Sequence, residues 1–356
     1  MNAVPVPRDI PLPLPASEPV LVAVLVVFFL VHIVFVNFMV GGALLTLYYE
    51  VRGLREPRYD RLAQAVAATI TANKSLAVVL GIGPLLAINT LYTVHFYTAN
   101  ALTGGFWIGI VPLVVAAFVL TYVHKYCWTR MERTKALHVA LAGAAALLFL
   151  FIPLIFLANV NLMLFPERWT EVGGFFSALA LPNVLPRYLH FVLACPAMTG
   201  LFLVWLFRRE PEAAVAATGF TRSELVRAAY RWALWPTVAQ FAVGPLALAT
   251  LPATRESLQG AWVAFAVATL VALAMTGLLY RETRRDDARI GRSFASICTL
   301  MLVVVALMGV GRHLYREAAV APHRDLVRAK TERYLQAVED ANRRAGRDGG
   351  DAGRTP

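Results

Sequence analysis

The amino-acid sequence predicts an all-α protein, a polytopic membrane helix bundle of about eight transmembrane helices. Of its 356 residues 58% are hydrophobic and 15% charged, whereas soluble domains average roughly 45–50% apolar and 25% charged. A helix needs about 20 mainly apolar residues to cross about 30 Å of hydrocarbon. Such runs recur at residues 20–49, 74–97, 106–126, 136–165, 185–207, 229–251, 261–280 and 294–313. Basic residues, which carry the formal net charge to +11, gather in alternate connections between these runs.

Residues 1–19 contain Pro5, Pro7, Pro11, Pro13, Pro15 and Pro19 and favour an extended, polyproline-like external lead. The run that follows is too long for a signal peptide and lacks both a basic leader and a small-residue cleavage site, so it is expected to be a retained helix. Lys74 opens the second run with a stem long enough to snorkel. Gly81, Gly83 and Pro84 allow that helix to pack closely and kink. The connections after spans one, three, five and seven carry Arg52, Arg55, Arg58 and Arg61; Lys125, Arg130, Arg133 and Lys135; Arg208, Arg209, Arg222 and Arg227; and Arg281, Arg284, Arg285, Arg289 and Arg292. Alternate connections are bare, or balance Arg168 with Glu167 and Glu171 and Arg255 with Glu256. The positive-inside rule then places both termini in the periplasm and the chain in a bacterial inner (cytoplasmic) membrane. The charge is thus a topology signal, with no nucleic-acid partner required. Residues 20–315 form the bundle. The tail, 316–356, is polar, with a weak helical stripe over 325–344 and a disordered composition from 346 onward.

Cys127, Cys195 and Cys298 stand far apart and form no CxxC or CxxCH, so a disulfide framework, a thiolate zinc site and covalent c-type haem are unsupported. Nor is there an HExxH or a GxSxG, and no catalytic residue is assigned. Ionisable residues at bilayer depth are costly and therefore candidates for function. His32, His95, His190 and His313 fall toward the outer half, whereas His124 and His138 belong to the inner edge. A neutral imidazole can ligate a b-type haem iron through one nitrogen while the other is fixed by an acceptor. Taken alone, each histidine is better accounted for by interhelical hydrogen bonding or an interfacial position, His95 and His313 above all. Asn37, Asn73, Asn89, Asn159, Asn161, Thr90 and Gln240 are expected to make such interhelical bonds, and Trp107, Trp128, Trp169, Trp232, Trp235 and Trp262 to form an interfacial belt.

In their order these features resemble subunit I of the cytochrome bd quinol oxidases, as a divergent and shortened relative. The resemblance covers residues 20–207 and, more loosely, the remainder. It rests on His32 followed by Gly41-Gly42 and Glu50; on Asn73-Lys74-Ser75-Leu76 with Gly83; on Pro112-Leu113; on Asn159 through Met163; and on Leu189-His190-Phe191-Val192-Leu193-Ala194 with Thr199-Gly200. It implies haem b, one or two, ligated at the iron by His32 and His190, with His95 or His313 as replacement ligands and Arg312 facing a haem propionate or a quinone oxygen. The departures concern oxygen chemistry. The family's long quinol loop is here the short turn at 252–260, and its Glu-x-Gly-Arg signature survives only as Gly311-Arg312. The acidic positions of its third helix fall on Ala116 and His124, and no methionine opens span seven. The resemblance therefore implies a membrane electron-transfer subunit that passes electrons between the quinone pool and a periplasmic c-type cytochrome, its oxygen-reducing site lost. The alternatives are a haem-free scaffold or anchor for a respiratory complex and a divergent bd-type quinol oxidase.

Overall fold

A computed structural model describes residues 4–9, 13–252, 254 and 258–351, excluding the side chains of 70–74 and 345–351. The protein is a polytopic helical bundle without strands among these residues. Its elements are α1 (Glu18–Gly53), α2 (Pro57–Leu91), α3 (Thr93–Thr103), α4 (Gly105–Tyr126), α5 (Lys135–Leu162), α6 (Phe175–Leu179), α7 (Val184–Arg209), α8 (Glu212–Ala217), α9 (Arg222–Ala249), α10 (Gln259–Arg284) and α11 (Phe294–Asp351). Among the described residues seven helices are long and apolar enough to span a membrane; the bent pair formed by the end of α2 and α3 brings the total to eight if counted as one span. Outward-facing side chains such as Ile108, Val111, Leu147 and Leu270 are largely exposed, and α4 buries only Ala117 and His124. That apolar exterior is a surface for lipid.

The helices pack as antiparallel neighbours, α1 with α2, α4 with α5, α7 with α9 and α10 with α11, while α1 also touches α5, α7 and α11. Close approach to α1 and α9 is possible because α7 meets them at glycines. A Cβ on Gly41 would lie 2.3 Å from the Cys195 carbonyl oxygen, and one on Gly200 2.5 Å from the Ala233 backbone nitrogen. One core cluster fills the arginine-rich end around Tyr49, Trp128, Phe207 and Tyr230. A second fills the opposite end around Tyr92, Phe96, Trp169 and Tyr315.

Several elements begin or end for local reasons. Pro57 sits in the first turn of α2, where its missing N–H costs nothing. Thr221 and Glu224 form a capping box at the start of α9. Asn183, at φ 71°, precedes α7, and its side-chain amide donates to Ala247 on α9 and to Thr250 just beyond its end. Glu282, fully buried, accepts from the Gly291 and Ser293 amides and pairs with Arg285, which shapes the α10–α11 turn.

Several expectations change in three dimensions. α2 breaks by 111° at Tyr92 rather than simply kinking at Pro84. The separate tail helix at 325–344 is instead a continuation of α11, unbroken from Phe294 to Asp351. Residues 346–351, expected to be disordered, are helical in that element, and 352–356 lie outside the described residues. The lead packs on the extension: the Asp9 amide donates to Thr331 at 2.9 Å, Lys330 donates to the Val6 carbonyl, and Arg8 lies over the Tyr334 ring. Lead and tail therefore share one end of the bundle. Trp128 and Trp169, just beyond the ends of α4 and α5, are buried within the protein, whereas Trp235 and Trp262 are exposed. Asn159 and Asn161 make the expected bonds between segments, to Asn100, Thr103 and Pro182, but Thr90 bonds to Leu86 of its own helix. The side chains of Asn73 and Lys74 lie outside the described residues.

Candidate functional site

Two polar sites lie inside this apolar frame, one toward each end. Toward the end bearing the lead and tail, α7 presents Arg187 and His190, three residues apart and so on one helical face. His190 Nδ1 and Arg187 Nη1 are both buried without a hydrogen-bond partner. Arg312 and Arg316 of α11 approach closely enough to repel Arg187. Among the described residues none of these three arginines forms an ion pair with a carboxylate. Gly244 of α9 faces the His190 ring, where a Cβ would make ordinary van der Waals contact 3.9 Å from Cε1. His313 beside Arg312 also has a buried, unpartnered Nδ1.

Unpaired buried polar groups are uncommon because each costs free energy. Here they have complementary character: a neutral nitrogen donor lies beside cations that lack an anion. That donor set fits a haem, whose iron takes an imidazole and whose propionates take guanidinium groups. His32, on α1, completes the candidates differently. Its Nδ1 donates to the Ala77 carbonyl at 2.7 Å, the backbone anchor that fixes a ligating imidazole and leaves Nε2 as the donor to metal. Gly81 lets the ring lie flush against α2, since a Cβ there would be 2.8 Å from its Cε1.

His95 is drawn into another contact. His323 Nε2 donates to the Pro5 carbonyl at 2.7 Å, so its Nδ1 accepts from His95 Nε2 at 3.0 Å. Trp169 packs edge-on to both rings. Burial lowers the His323 pKa from its ordinary value, against the opposing pull of the Pro5 hydrogen bond. The chain from α3 through α11 to the lead ties these segments together and occupies the His95 nitrogen nearest a partner.

The second site lies at the arginine-rich end and joins α1, α4 and α5. Glu50, fully buried, accepts from His124 Nε2 at 2.7 Å, contacts His138 Nδ1 and pairs with Lys135 at 3.0 Å. Lys135 reaches Asp60 at 2.6 Å, and Trp128 donates to the same carboxylate at 3.2 Å. The His124 and His138 rings stack with centroids 4.1 Å apart, and Lys135 lies 4.2 Å from the Trp128 ring centre. His138 Nε2 donates to the His124 carbonyl at 2.8 Å. Sequence reasoning assigned both histidines to the inner edge but did not join them to Glu50, and it passed over Arg187. The available signal was a carboxylate closing an apolar run, with no local partner to justify its burial.

Comparison of the chain with protein-family models and with curated proteins finds no match.

Proposed function

We propose that this protein is a membrane electron-transfer subunit that binds b-type haem and passes electrons between the quinone pool and a periplasmic c-type cytochrome, as a divergent relative of the bd oxidase subunit I. The observation that carries the reading is the pairing of the unpartnered His190 nitrogen with unpaired Arg187 one turn away on α7, facing Arg312. His190 would ligate the iron, with His32 or His313 as a further ligand, and Arg187 and Arg312 would hold the propionates. When bound, the haem supplies reversible one-electron chemistry. The chain's own contribution is to exclude water, fix the imidazole orientation and neutralise the propionates. A quinone oxygen is a second anion-like group that Arg312 could face. The end of the bundle where lead and α11 extension meet would receive the periplasmic cytochrome, which brings its own c haem.

The test is the dithionite-reduced minus oxidised spectrum of the purified protein, with pyridine haemochrome quantification. A b-type α band is expected in the wild type and in His323→Ala, and its loss in His190→Ala. Absence of any b-type band in the wild type would sink the reading and leave the haem-free scaffold. Quinol-driven oxygen uptake would instead restore the oxidase alternative.

A further inference from the structure

We infer that Glu50, His124 and His138 form a binding site for one divalent transition-metal ion of the zinc class, which clamps the arginine-rich ends of α1, α4 and α5. The first argument is hydrogen-bond bookkeeping. His138 Nε2 donates to the His124 carbonyl, so in the neutral ring Nδ1 carries a lone pair. That lone pair faces Glu50 Oε1, another acceptor, in direct contact. Two acceptors meet this way only when a cation offsets their repulsion, either a proton on Nδ1 or a metal ion that both residues turn to bind. Lys135 offsets that repulsion only in part: its Nζ hydrogen bond to Nδ1 is long, 3.4 Å, and its short contacts go to Asp60 and Glu50. Two carboxylates, Glu50 and Asp60, face this one ammonium, so one negative charge remains unbalanced when both rings are neutral.

The donor set identifies the cation. One ligand atom from each of Glu50, His124 and His138 lies within 4.8 Å of the others, and all three residues are buried. Two imidazoles and one carboxylate suit zinc and neighbouring first-row ions, whereas calcium and magnesium require oxygen ligands. The His138 bond to a backbone carbonyl is the outer-shell contact that orients a ligating histidine. Lys135 holds Oε1, and Oε2, which meets His124 Nε2 at 2.7 Å, is the oxygen that would turn to the ion.

An independent observation is a cavity of about 20 Å³ beside His124, lined also by Thr46, Thr121 and alanines. It has room for about one water. Thr46, one turn before Glu50 on α1 and almost fully buried, has an unpartnered hydroxyl. A water held there by Thr46 supplies the fourth ligand. Space for one water, and no more, makes the site structural rather than a chamber for substrate.

The test uses full-length protein in detergent, dialysed against chelator and titrated with Co2+ as a spectroscopic stand-in and with Zn2+. One ion per chain, tetrahedral Co2+ ligand-field bands and a higher thermal midpoint with Zn2+ are expected. Glu50→Gln and His138→Ala should weaken binding at least about tenfold. Lys135→Met, which removes a competing cation while leaving all three ligands, should bind more tightly; this variant keeps the test open if the other two fail to fold. Wild-type protein that takes up neither ion would overturn the site and leave a proton as the cation in the gap. Weaker binding in Lys135→Met would also refute the assigned geometry. Haem is counted separately by pyridine haemochrome, so this site and the haem reading stand or fall independently.

Discussion

Arg187→Met should change stability in opposite directions with and without haem. In the ligand-free protein the substitution removes a buried guanidinium whose Nη1 has no partner and which Arg312 and Arg316 repel. An unsatisfied buried polar group costs about 1–3 kcal/mol, more when charged, and methionine keeps most of the apolar stem volume. The haem-free variant should therefore be more stable than wild type by at least about 1 kcal/mol. With haem present, the same guanidinium makes a charge-assisted bond to a propionate, worth about 1.5–3 kcal/mol. At 1.4 kcal/mol per factor of ten, its loss should speed haem release by about 10- to 100-fold. Thermal unfolding in detergent of protein made in haem-deficient and haem-supplied cells reads the first effect, and transfer to a haem scavenger reads the second. A haem-free variant less stable than wild type would refute the argument, as would an unchanged release rate. A purely structural Arg187 gives one sign throughout.

Two further outcomes follow from the packing and the loops. Gly200→Ala places a methyl 2.5 Å from the Ala233 nitrogen and 2.6 Å from the Ala229 carbonyl oxygen, both backbone atoms that cannot swing aside. It should cost about 1–3 kcal/mol, read as a lower thermal midpoint, and an unaltered midpoint would show that α7 and α9 are not held this closely. In the α10–α11 turn, the Arg227 hydrogen bond lowers the Asp287 carboxyl pKa from its ordinary value. That contribution is present above the unfolded pKa of about 3.9 and is lost as pH falls through the lower folded value. The stability difference between wild type and Asp287→Asn should therefore be constant near neutrality and close only in acid; a difference that grows on acidification would contradict the pairing.

The membrane class and the positions of the spans were legible because both are local properties. An apolar run of sufficient length must be a buried or lipid-facing helix wherever it sits, and the runs at 106–126 and 261–280 fall within α4 and α10. The same holds for Gly81, since a missing Cβ signals close approach whatever approaches it; that the partner would be the His32 ring was not legible.

The sites were only half legible for the converse reason. His190 and His32 could be singled out because an ionisable residue inside an apolar run is costly on any arrangement. Arg187, near the start of the run at 185–207, carries no signal of its own in the sequence, and only the tertiary structure buries it near two like charges, Arg312 and Arg316. Glu50 and His138 are 88 positions apart and meet only because α1 packs on α5 with one particular rotation. His95 could equally have faced a cofactor, but the extension of α11 brings His323 to it, 228 positions away. By itself the sequence determined which segments cross the membrane and which polar residues enter it, since burial of an apolar run depends on composition and length alone. Only the tertiary structure decided which of those residues share a site, because the helix rotations that pair them are set by packing between helices and are not written in the periodicity of any one.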